Sequence, residues 1–102
     1  MVNRKILLIN SDNSDVTYAE LAEYHRRYPN ADFWVNQCSY KDYSFEKEQT
    51  LLSNVAKLDQ VFILNAGKPL AMFDDLVLCV IAIARRSDVQ ICYYTDEEVS
   101  IR

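Results

Sequence analysis

The sequence predicts a small α/β fold, and three observations carry that prediction. Short apolar runs at residues 5–10, 32–36, 60–65 and 89–94 alternate with longer stretches of helical spacing. The run 61–84 contains a buried-strand signal, the turn Asn65-Ala66-Gly67-Lys68-Pro69, and then a long apolar helix signal. The chain holds one Gly and two Pro, too few for a sandwich or barrel of many short strands.

Each element has a local reason. Residues 5–10 (KILLIN) are almost wholly apolar, the pattern of a strand buried on both faces of a parallel sheet. The following loop, Ser11-Asp12-Asn13-Ser14-Asp15, is made of turn and cap formers. Thr17 with Glu20 forms a capping box that starts helix 1. Its expected apolar face is Tyr18, Leu21, Ala22, His25 and Tyr28, and Pro29-Asn30 stops it. Residues 32–36 (DFWVN) read as a short aromatic strand. Trp34, Tyr40 and Tyr43 offer an aromatic rim beside it. Ser44 caps helix 2, whose buried stripe is Leu51, Leu52, Val55 and Leu58. Strand 3 covers 60–65. Helix 3 is expected from about Leu70 to Arg86, and strand 4 from Val89 to Tyr94. The tail from Thr95 to Arg102 either frays or adds a short edge element.

Strands that alternate with helices pair in parallel through right-handed crossovers. The expected result is a single three-layer domain over residues 1–102, Rossmann- or flavodoxin-like, with a four-stranded parallel sheet in the order 2-1-3-4. Its switch point falls between strands 1 and 3, at their carboxyl ends, where open α/β sheets take ligands.

Composition narrows the function. The chain has 102 residues and a formal net charge of −4, with 11 basic against 15 acidic residues. Nucleic acid is an unexpected partner, because phosphate binding draws on Lys and Arg. Cys38, Cys79 and Cys92 are odd in number and lack a CxxC spacing, so neither a disulfide framework nor a zinc site is expected. No metal or cofactor is called for. The opening residues lead into too short an apolar run for a signal peptide, and Leu76 to Ala84 is far short of the ~20 residues that span a bilayer. A cytoplasmic location without membrane contact is the expectation.

The candidate site gathers residues from both loops of the switch point: Asn10, Ser11, Asp12 and Asn13 from the first, Asn65, Gly67 and Lys68 from the second, with Tyr94 as a stacking ring. Ser, Asp and Asn there either turn the chain and cap the helix or hydrogen-bond a sugar or base. Lys68 at a helix start can hold an anion. Asp74 and Asp75 either lie in the first turn of helix 3, favoured by its dipole, or act as acid, base or nucleophile. His25 has no second His for a metal pair.

The run Leu58-Asp59-Gln60-Val61-Phe62-Ile63-Leu64-Asn65-Ala66-Gly67, with the helix end Ile83-Ala84-Arg85-Arg86 and the strand Val89 to Tyr94, resembles the C-terminal half of nucleoside 2-deoxyribosyltransferase-like proteins. It covers roughly residues 52 to 95. The resemblance implies a doubly wound fold, a nucleoside or nucleotide ligand, and cleavage of an N-glycosidic bond by a Glu nucleophile on the helix. Val80 stands at that Glu position, helix 3 contains no Glu, and the family's Gly-Gly and Ser of the phosphate-binding turn are absent.

Two functions follow as expectations. The first is a non-catalytic binding or regulatory protein that meets a protein partner or a nucleotide-like ligand at the ends of strands 1 and 3. Helix 3 is apolar on every side, which suggests a homodimer through it. The alternative is a deoxyribosyltransferase or N-glycoside hydrolase using Asp74 or Asp75.

Overall fold

A computed structural model describes residues 3–39, 41–95 and 99–101. The elements in chain order are β1 (Arg4–Asn10), α1 (Tyr18–Arg27), β2 (Ala31–Val35), α2 (Phe45–Val55), β3 (Gln60–Leu64), a 3₁₀ turn (Leu70–Met72), α3 (Asp75–Arg86), β4 (Gln90–Tyr94) and β5 (Val99–Ile101). The sheet runs β2-β1-β3-β4-β5. The first four strands are parallel, in the expected order 2-1-3-4. β5 pairs antiparallel with β4 and is the short edge element of the tail. Tyr40 and residues 96–98 of the sequence reading lie outside the described residues.

The apolar strands explain the layering. Alternate residues of a strand point to opposite faces. Leu7, Ile9, Val61, Ile63, Ile91 and Tyr93 therefore meet α2 and α3 on one face. Ile6, Leu8, Phe62, Leu64, Cys92 and Tyr94 meet α1 on the other. β1 and β3 lie inside the sheet, and β3 is buried along its whole length. At the amino end, the Lys5 backbone N–H donates to the Asp59 carboxylate at 2.7 Å, fixing β1 against the turn before β3.

Three expectations change. α3 does not begin at Leu70: the 3₁₀ turn intervenes, and Asp74 is the N-cap, its Oδ1 accepting from Leu76 N–H at 2.9 Å. An apolar run cannot by itself mark a helix start, and here the capping carboxylate does. The apolar density of α3 is also absorbed within the chain. Leu76, Val77, Val80, Ile81 and Ala84 are buried, and Leu78 and Ile83 pack against the core. The apolar residues left exposed on it are Cys79 and Ala82. Cys79 is thus not a core residue, in contrast to Cys38 and Cys92.

On α1, the buried side centres on Leu21, Tyr24 and Tyr28, while Tyr18, Ala22 and His25 are exposed. They sit toward β2, the end of the sheet, where no further element covers them among the described residues. Tyr24 takes the place the periodicity gave to His25. It packs edge-on against Tyr94 with centroids 5.1 Å apart, and burial pushes its hydroxyl up to about 12.

Tight turns are made without glycine. Asn13, Asn65 and Asp88 take positive φ of 61°, 55° and 57°, the left-handed region that Asn and Asp tolerate best after Gly. No described helix is long and apolar enough to cross a membrane.

Candidate functional site

The carboxyl edge of the sheet is where the loops after β1, β2, β3 and β4 converge. At its centre the polar side chains hold the backbone. Asn10 is 2% exposed. Its Nδ2 donates to the carbonyls of Ser14 and Asp15 at 3.1 and 2.9 Å, and its Oδ1 accepts from Asn65 Nδ2 at 2.6 Å. Ser11, fully buried, donates from Oγ to the Asn65 carbonyl at 2.6 Å. The backbone completes the seam, with Ser11 N–H to the Leu64 carbonyl, Ala66 N–H to the Tyr94 carbonyl and Asp74 N–H to the Ser11 carbonyl, all within 2.9 Å.

A second polar knot ties the loop after β1 to the loop after β2. Asn13 is buried, and its Nδ2 donates to the Cys38 carbonyl at 3.0 Å. Its Oδ1 accepts from Asn36 Nδ2. The Asn36 Oδ1 in turn accepts from Cys38 N–H at 2.9 Å. A left-handed Asn turns the chain and spends its amide on a neighbouring loop, so one residue does both jobs.

The remaining candidates are dispersed. Asp12 is exposed, and its Oδ1 accepts from Ser14 Oγ and N–H at 2.6 and 3.0 Å. Those bonds hold its carboxyl below the usual carboxylate range, burial opposes them, and the charge of Lys68 adds to them. Gly67 is exposed and has ordinary φ; a Cβ there would meet Thr95 Cγ2 at 3.6 Å, a normal contact. Asp74 is engaged as the α3 cap, and Asp75 is exposed in its first turn. Tyr94 is 4% exposed and bonds Tyr28 hydroxyl to hydroxyl at 2.9 Å, so it is a core residue and not a rim ring. Burial, and then that bond, raise its pKa. Val80 is fully buried in the core. Among the described residues no three His, Cys, Asp or Glu side chains come together as metal ligands.

Open space lies at the β2 end. A cleft of about 430 Å³ sits between the loops after β1 and β2. Its floor is Val16, Leu21 and Val35, and its walls are Asp15, Thr17, Tyr18, Asn36, Gln37 and Asp42. On the opposite face, a groove of about 330 Å³ runs between β2 and α2, lined by Leu7, Trp34, Val35, Leu51 and Leu58 with Lys47 and Glu46 at its polar side. Trp34 is 44% exposed there, and Tyr43 of the expected aromatic rim is exposed nearby in sequence.

Gln37 and Asp42 line the cleft without a signal in the sequence. Both fall in an irregular loop, which has no period to mark which way a side chain points.

No protein-family model matches this chain, and no curated protein sequence matches it. A solved structure described as the solution structure of a phosphate-loop protein is similar, with a TM-score of 0.51 and 18% identity, over 92% of this chain and 80% of that one. At that identity the likeness concerns architecture, and the conclusion it supports is an α/β fold with a four-stranded parallel sheet in the order 2-1-3-4.

Proposed function

We propose that the protein works by binding and not by chemistry, and that it takes a nucleoside-like ligand in the cleft between the loops after β1 and β2. The observation that carries this reading is the cleft itself. Its ~430 Å³ suits a small ligand, its floor is apolar, and its walls offer carboxylates, an amide and a phenol. A base can lie on the apolar floor of Val16, Leu21 and Val35 while Asp15, Asp42 and Gln37 accept or donate at ring edges and hydroxyls.

The charge of the walls selects against phosphate. The loop after β1 carries Asp12 and Asp15 and contains neither Gly nor Lys. At the α1 N-terminus, a natural anion site, a capping box takes up two of the backbone donors: Thr17 Oγ1 accepts from Glu20 N–H at 3.1 Å, and Glu20 Oε1 accepts from Thr17 N–H at 3.0 Å. A phosphate in the cleft would meet the carboxylates of Asp15 and Asp42. The similar fold of a phosphate-loop protein therefore does not extend, on this reading, to a phosphate ligand.

Thermal unfolding against free bases, nucleosides, nucleotides and sugar phosphates tests the proposal. A nucleoside at 100 times its dissociation constant adds about 2.7 kcal/mol, enough to raise the midpoint by several degrees in a domain of this size. Nucleosides should shift the midpoint and their phosphates should shift it less. A flat panel, or a preference for the phosphates, rejects the reading. Release of free base from a bound nucleoside, lost in Asp74→Asn or Asp75→Asn, would replace binding by glycosidic cleavage.

A further inference from the structure

β2 ends the sheet, and its outward side has a hydrogen-bonding account that does not close. Asn36 N–H donates to the Leu8 carbonyl of β1 at 3.2 Å. In a parallel strand, alternate residues turn their backbone groups the same way. Asp32 and Trp34 therefore also face β1, and Ala31, Phe33 and Val35 face outward. Ala31 N–H is taken by the Tyr28 carbonyl at 3.2 Å, and the Val35 carbonyl is met by Gln37 Nε2 at 3.4 Å. The Phe33 N–H and carbonyl, the Ala31 carbonyl and the Val35 N–H are left without a partner among the described residues. β2 has no Pro, no Lys and no bulge to blunt this edge.

The helix beside that edge shows the same incompleteness. Tyr18, Ala22 and His25 follow helical spacing and read as a buried stripe in the sequence, yet they are exposed, Tyr18 by 91%. His25 stacks edge-on against Phe33 with centroids 5.0 Å apart, which places the stripe on the β2 side of α1. It carries no carboxylate, lysine or arginine.

The geometry points to a second copy of this chain as the occupant, joined antiparallel β2 to β2 about a two-fold axis at Phe33. In an antiparallel hydrogen-bonded pair, two opposed residues exchange both N–H···O bonds. Phe33 meets Phe33 of the second copy in that way, and Val35 N–H meets the outward Ala31 carbonyl. The unpaired groups are then satisfied by the same groups of the copy, as an isologous contact requires. The axis keeps like faces together, so the two α1 stripes lie side by side over the joined sheet.

Charge selects this register. Trp34 lines the groove on the α2 face, and Asp32, two residues earlier, shares that face. Pairing centred on Asp32 would oppose two carboxylates. Pairing centred on Phe33 separates them and sets each Asp32 opposite Trp34 of the other copy, where the groove carries Lys47 next to Glu46.

Sedimentation velocity of the full chain under reducing conditions tests this. At micromolar concentration the parent should sediment at twice 11.9 kDa, and emission from Trp34, the one tryptophan, should change on dilution through dissociation. Val35→Pro removes an outward N–H and leaves the β1 ladder intact. Ala22→Glu sets like charges across the axis from an exposed helix position. Both should halve the mass with far-UV circular dichroism unchanged; should Val35→Pro fail to fold, Ala22→Glu decides. Cys79→Arg, on the exposed side of α3, should leave the dimer in place. A monomeric parent overturns the inference. So does a dimer that survives Ala22→Glu, or one that is lost with Cys79→Arg.

Discussion

The junction of β1 and β3 and the end of the sheet at β2 are built from similar residues and behave differently. At the junction, Asn10, Ser11 and Asn65 are bonded to one another and to the backbone across two loops. At the β2 end, Gln37, Asp42 and Tyr18 stand around a cleft. Both lie at the carboxyl ends of strands, and the topological switch point, where open α/β sheets take ligands, falls at the junction. What separates them is burial: Asn10 and Ser11 are buried, whereas Gln37, Asp42 and Tyr18 are exposed. Where two inner strands end side by side, the loops leave buried N–H and carbonyl groups, and these take up the polar side chains. At the edge, Gln37 gives a single long bond, from Nε2 to the Val35 carbonyl at 3.4 Å, and the Gln37, Asp42 and Tyr18 side chains are exposed. Polar residues at a switch point are thus evidence of a ligand site only after the backbone has been satisfied.

This contrast can be broken or sharpened by substitution. The largest effect is expected at the junction. Asn10→Ala should lower stability by about 1–3 kcal/mol, because the carbonyls of Ser14 and Asp15 and the Asn65 amide lose their partner. The midpoint of urea unfolding measures it, and a loss below half a kcal/mol would show that the junction is not a structural seam. Thr17→Ala comes next. Thr17 lines the cleft but also caps α1, and loss of the cap should cost about 1 kcal/mol. A ligand shift that persists in this variant would assign the residue to the helix alone. Gln37→Ala should be the mildest in stability, within about 0.5 kcal/mol, while reducing the nucleoside-induced rise in midpoint. Were Gln37→Ala as destabilising as Asn10→Ala, the two regions would be alike after all.

Most of the architecture was legible in the sequence. Continuous apolar runs such as KILLIN cannot be satisfied by a one-sided sheet, and that fixes a parallel core with helices on both faces. The capping box at Thr17 and Glu20 and the Ser44 cap appear in the structure as read. The boundary of α3 was legible only in part: Leu70 to Phe73 fit an apolar period and extend the expected helix, while Asp74, a preferred N-cap residue, is the local signal for the start the structure shows. The burial of α1 was not legible, since a period of 3.6 names a stripe but not which side of it meets the sheet. Asn10 and Asn65 were correctly placed together. Their chemistry was harder to read: an Asn that bonds a loop and an Asn that bonds a ligand are the same letter. Gln37 and Asp42 carried no signal, as irregular segments have no repeating geometry.

The inner position of β1 also bears on how the chain comes into being. Its two ends are fastened to partners 54 residues further on, Lys5 to Asp59 and Ser11 to Asn65. During synthesis, β1 is made before either of its neighbours; it can pair with β2 but has no neighbour on its other side until β3 is made. Contacts of such long sequence separation slow folding, because a long loop must close before they are rewarded. Until then KILLIN is a bare apolar strand with one side open, the kind of segment that chaperones shield and that aggregates when they do not.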